Sequence, residues 1–188
     1  MQRLNPLPQF LLDQNCRLFD IDGHVYRVRT DVGSIVHGWV AADRYEQRPN
    51  PDRNRHYFCH GHSLGTYREF GYSVFSGPDL ATVLRDEYLL VGSLTNAQSG
   101  DLLVWHNVYP DKRHPDHSAI LTFLGAVPQP SSMAVHRAAA TDIRRKLEES
   151  SQVSTKNGGY GPVLTQTVQQ VCGIYGNVYA IYRRKFPK

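Results

Sequence analysis

Apolar and polar residues follow two different rhythms along this chain, and the changes of rhythm divide it into strands and helices. Val25, Arg27 and Arg29 alternate with Tyr26 and Val28, a period of two that gives a strand one packed face and one wet face. Asp22-Gly23, a turn dipeptide between short apolar runs, predicts a hairpin at that point. Residues 41–55 are charged and contain prolines, so they read as a surface loop, and Phe70 to Phe75 reads as a short strand or extended connection. Ser76-Gly77-Pro78-Asp79 then opens a helix. Ser76 or Asp79 can cap it, Pro78 suits its first turn, and Leu80, Val83, Leu84 and Tyr88 recur at helical spacing.

The second half repeats this alternation of types. Ser99-Gly100-Asp101 is a turn that releases the strand Leu102 to Trp105, and after a polar loop from His106 to Asp116 a second strand runs from His117 to Gly125. The two are expected to pair as a hairpin. Residues 128–132 form a Pro/Ser connector, and Met133 to Glu149 sets Val135, Ile143 and Leu147 against Arg144, Arg145 and Lys146, an amphipathic helix. Val153 begins a short strand that breaks into a Gly-rich loop by Pro162. A helix around Leu164 to Val171 and a strand from Val178 to Tyr182 close the chain. No internal repeat interrupts this order.

A chain of 188 residues that is 40% apolar is long enough for one domain with a sizeable core. The expected organisation is a single domain over 1–188: a β-rich part and loop over 1–55, a central part over 56–125, and a closing part over 126–188. The net charge of +4 is scattered; its densest cluster, Arg183-Arg184-Lys185 with Lys188, reads as a solvated end. No stacking-plus-basic module appears, so nucleic acid is not an expected partner. No run approaches the length of a membrane span or of a signal-peptide core, which predicts a soluble protein made in the cytoplasm and, if it acts elsewhere, exported by dedicated machinery.

Candidate chemistry centres on His56-Tyr57-Phe58-Cys59-His60-Gly61-His62. Three cysteines, Cys16, Cys59 and Cys172, show no paired spacing, so free thiols are expected rather than a disulfide framework. Cys59 lies where a loop enters a helix, and free backbone N–H groups at such a point favour thiolate. A buried, inert thiol is the plainer alternative. A thiol nucleophile needs a base, and the base needs an orienting group. His117, at the loop-side end of its strand, can be the base, and Asn157 can orient it, although Asn157-Gly158 also reads as a simple turn.

The order Tyr57-x-Cys59-x-Gly61, then Gly100-Asp101-Leu102-Leu103-Val104-Trp105, then His117-Ser118-Ala119-Ile120-Leu121 resembles the papain-like cysteine peptidases of the bacterial cell-wall amidohydrolase branch, the NlpC and CHAP kind. The resemblance covers residues 54–125; beyond them only the order of elements agrees. It implies an α+β fold with the nucleophile's helix packed on a small antiparallel sheet, Cys59 as nucleophile and His117 as general base, and no cofactor. The backbone N–H of Cys59 would serve the oxyanion, with Asn54 or Tyr57 as a second donor. His60 and His62 flank Gly61 where that branch more often has small residues.

The implied activity is cleavage of amide bonds in peptides, including the peptide stems of peptidoglycan or a target protein. Deamidation and acyl transfer use the same thioester and stay open. Small size suggests a toxin or effector domain, for which an immunity protein is the expected partner. A different class of reading takes Cys59, His60 and His62, with His56, His106, His114 and His117, as a zinc-holding cluster in a hydrolase or binding module. Their spacing matches no usual zinc pattern.

Overall fold

A computed structural model of the protein describes residues 2–6, 23–41, 59–65, 73–74, 77–106, 115–126, 136–157 and 162–185. Strands β1 (Gln2–Pro6), β2 (Gly23–Arg29), β3 (Ile35–Ala41) and β4 (Ser73–Val74) form a four-stranded antiparallel sheet in that order. A second sheet holds β5 (Tyr88–Leu90), β6 (Leu102–His106), β7 (Pro115–Phe123), β8 (Gln152–Lys156), β9 (Val163–Thr167) and β10 (Tyr179–Arg184). Its order is β5-β10-β6-β7-β8-β9, and every neighbouring pair is antiparallel. Helices α1 (Cys59–Ser63), α2 (Gly77–Glu87), α3 (His136–Ser150) and α4 (Val168–Tyr175), with a 3-10 turn at Leu94–Asn96, complete the described elements. The architecture is α+β, as expected.

Strand alternation sorts the core into two layers. Leu103 and Trp105 of β6, Ala119 and Leu121 of β7, Val153 of β8 and Ile181 of β10 pack on one face against Leu147 of α3 and Val168, Val171 and Cys172 of α4. Leu102 and Val104 point the other way, onto Leu80, Val83 and Leu84 of α2, with Val36 and Leu64. A strand covered on both faces has no polar positions to alternate, which is why residues 102–105 read as one apolar run. On α3, Ile143 and Leu147 turn inward, and Arg144–Glu148 and Arg145–Glu149 pair one turn apart on the outside.

Three expectations about the elements change. The hairpin of β2 and β3 turns at Thr30–Ser34, not at Asp22-Gly23: Thr30 N–H donates to Ser34 O at 2.9 Å, and Gly33 takes the positive φ of 97° that favours glycine. Gly23 instead opens β2 opposite Ala41, and Asp22 lies outside the described residues. α2 ends at Glu87, and Tyr88 is drawn into β5 by pairing with Arg184. The predicted helix around Leu164 is a strand first: Leu164, Val168 and Val171 have helical spacing, but Val163 to Thr167 pair along β8.

The helix then starts where its cap is. Thr167 Oγ1 accepts from the Gln170 N–H at 3.2 Å while Gln170 Oε1 accepts from the Thr167 N–H at 2.8 Å, a reciprocal capping box. Thr167→Ala should cost about 1 kcal/mol of stability, measured by urea unfolding.

The Gly100-Asp101 turn does more than release β6. Gly100 has φ 93°, and the buried Asp101 carboxylate accepts the Gln98 N–H at 2.9 Å and both Nε and Nη2 of Arg183, at 2.9 and 2.7 Å. The basic cluster at 183–185 is therefore built into the fold rather than a solvated end. Lys185 Nζ donates to the carbonyls of Arg85 and Asp86, and Arg184 lies 3.8 Å from Glu87. Among the described residues no helix is long and apolar enough to cross a membrane.

Candidate active site

Helix α1 is only five residues long, and all five are buried. It lies on the sheet against β7 and β8, and against β4. Ser118 of β7 lies beneath it, with its hydroxyl 2.7 Å from His60 Nδ1 and 2.6 Å from the Ser63 hydroxyl. One strand over, Ser154 of β8 holds His62 Nε2 at 2.8 Å. A helix too short to be stable alone is thus fixed by tertiary hydrogen bonds from serines on two neighbouring strands.

Cys59 opens α1, as its position between loop and helix predicted. Its Sγ lies 3.6 Å from His60 Nδ1. Burial pushes the thiol up to about 11, against the opposing pull of the N–H groups of Ser118, His60 and Cys59 itself and the positive charge of Lys156. Burial likewise holds the His60 imidazole down at about 4. The two groups are neutral at rest.

His117 lies elsewhere. Successive strand residues point to opposite faces, so where Ser118 turns to α1, His117 turns toward α4. There its ring stacks on Tyr175 at 3.8 Å, and Nε2 hydrogen bonds the Thr155 hydroxyl at 2.6 Å. Burial first, and His60 second, bring it down to about 3. His117 makes no hydrogen bond to the Cys59 sulfur.

Asn157 follows β8 directly. Ala119 pairs with Thr155, and continuing that register two residues sets Asn157 opposite His117 on the same face. Its Oδ1 is buried and accepts no hydrogen bond from the described residues. The structure brings Cys59 together with His60, Ser63 and Ser118. Asn54 and Tyr57, the expected oxyanion donors, lie outside the described residues, as do His56 and His114.

Among the described residues no three His, Cys, Asp or Glu side chains converge as metal ligands. Cys59, His60 and His62 do not form such a group, because the two histidines are directed at different serines on different strands. Sequence reasoning passed over Ser118, Ser63 and Lys156. A visible signal existed for Ser118, which stands before the apolar run Ala119 to Leu121.

Comparison with known proteins adds no relative: no family model matches the chain, and no curated protein or solved structure matches it.

Proposed function

We propose that the protein is a cysteine-dependent amide hydrolase of papain-like type, with Cys59 as its nucleophile. The observation that carries this reading is the setting of the sulfur, at the first residue of a helix laid on an antiparallel sheet, with an imidazole nitrogen 3.6 Å away. The thiol proton would pass to imidazole as sulfur attacks the carbonyl. The amine then leaves with that proton, and water cleaves the thioester. His60 is the first candidate base, because it touches the thiol; His117, with Asn157 beside it, is the second. Peptides, including peptidoglycan stems or a target protein, are the substrates that go with this chemistry, and an immunity protein is the partner expected of a toxin.

Magnitudes favour a second reading as well. Ionisation of the thiol near 11 and of His60 near 4 are about seven pH units apart, so both groups rest neutral and proton transfer between them is uphill in the closed protein. On that reading Cys59 is a packed thiol and the fold serves binding.

Iodoacetamide labelling of native protein at pH 7, mapped by mass spectrometry, separates the two. Catalytic Cys59 is expected to react within hours and faster than Cys172, with His60→Ala or His117→Ala removing the advantage of whichever base serves it. Labelling of Cys59 only when the protein unfolds overturns the hydrolase reading and leaves the binding one.

A further inference from the structure

Lys156 is a buried ionisable group for which the scheme above has no use. It is 0 % exposed. Isolating an ammonium from water costs several kcal/mol unless something nearby compensates. Strand alternation shows what it faces. On β8, Val153 and Thr155 look toward α4, whereas Ser154 holds His62 of α1; Lys156, two residues on, shares that face. One step past the Ala119–Thr155 pair, Lys156 stands opposite Ser118. Side chains directly across an antiparallel pair start about 5 Å apart. Ser118 is the residue whose hydroxyl bonds His60, the neighbour of Cys59.

We propose that Lys156 supplies the counter-charge of the Cys59 thiolate, a positioning residue that stabilises S⁻ when the proton leaves. The inference rests on the reading of Cys59 as nucleophile. It answers a difficulty of that site, since neither nearby imidazole is charged at rest. Among the described residues, the titratable groups around the pair include His60 and His62 of α1, His117 of β7 and Tyr175 of α4. Burial keeps His60 and His117 neutral at pH 7 and pushes the Tyr175 hydroxyl up to about 12, so none of these three opposes the lysine. Burial lowers Lys156 itself to about 8, with Cys59 pulling it back up, so the ammonium is mostly charged at pH 7.

Two measurements on the full chain test this, with Lys156, Lys156→Met and Lys156→Arg compared. The first is the rate of Cys59 alkylation by iodoacetamide at pH 7. Each unit by which the thiol rises cuts thiolate tenfold and raises its nucleophilicity about threefold, so Lys156→Met should react about threefold more slowly per unit lost. Lys156→Arg should recover the wild-type rate. The second is the ¹³Cβ shift of labelled Cys59 against pH, with Cys16→Ser used for assignment, which reads thiol ionisation without any reaction and shows whether each variant is folded. Because the lysine has lost its proton at the pH where the thiol titrates, the midpoint is compared between Lys156→Arg, which stays charged there, and Lys156→Met: a lower midpoint in Lys156→Arg supports the proposal. An alkylation rate unchanged in Lys156→Met, or a midpoint no lower in Lys156→Arg than in Lys156→Met, overturns it. If native Cys59 resists alkylation altogether, the hydrolase reading fails, and the ¹³Cβ titration still decides whether Lys156 acts on the thiol.

Discussion

Lowering the pH from 7 to 4 will remove most of the protein's stability. His60 and His117 are both buried and held neutral, at about 4 and about 3 against an ordinary 6.5. In the unfolded chain each binds a proton near 6.5. Between that pH and the folded values the unfolded state therefore carries more protons, and stability falls as pH falls. Above 6.5 both states are neutral at these positions and the contribution is flat. Between pH 7 and 4 the two amount to about 6 kcal/mol, less for the part His60 imposes on His117, against a typical total of about 5–15 kcal/mol.

Two carboxylates modify this. Asp86, held low by hydrogen bonds from Thr30, Ser34 and Arg85 against its burial, adds to the acid loss, whereas Glu87, pushed up by burial, works the other way. Urea midpoints measured from pH 7.5 to 3.5 should drop steadily below about pH 6.5, and a His60→Gln/His117→Gln double variant should flatten the upper part of that slope. A wild-type midpoint that holds level down to pH 5 would show that these imidazoles are protonated or hydrated in the native state.

Trp105→Ala will destabilise the fold by about 3–5 kcal/mol. Trp105 is fully buried, with its ring 5.7 Å from that of His117 and 5.5 Å from that of Tyr179. It lies at the centre of the layer between the sheet and helices α3 and α4, so its removal leaves a cavity bounded by strands that cannot close in. It is also paired in register with His117. Truncation should loosen the imidazole as well as the core, while Trp105→Phe keeps most of the packing. Denaturant unfolding gives the stability, and histidine ring shifts by NMR report the loosening.

The sheet was more legible in the sequence than the site. The Gly100-Asp101 turn and the apolar run after it mark β6 from composition alone, and the pairing of β6 with β7 follows from their proximity. Facing is another matter. Whether His117 or Ser118 looks toward the cysteine helix depends on which helices cover which side, and that is fixed by α3 and α4, far along the chain. A one-residue difference in a period of two moves a side chain to the other face. The β2–β3 turn was misplaced because Asp22-Gly23 is the stronger local signal, although Thr30–Ser34 has the flanking strands. The start of α4 was missed because Leu164, Val168 and Val171 mimic a helix, and only the Thr167–Gln170 cap tells where one begins.

The position of β10 constrains how the protein is made. It is the last described strand in the chain, yet it lies between β5 and β6 and is clasped to the turn before β6 by Arg183 and Asp101. Until the ribosome has released residue 184, β5 has no partner and β6 presents an unpaired edge. The nascent chain must carry that open edge from the making of β6 until that of β10, when it is most exposed to pairing with other chains.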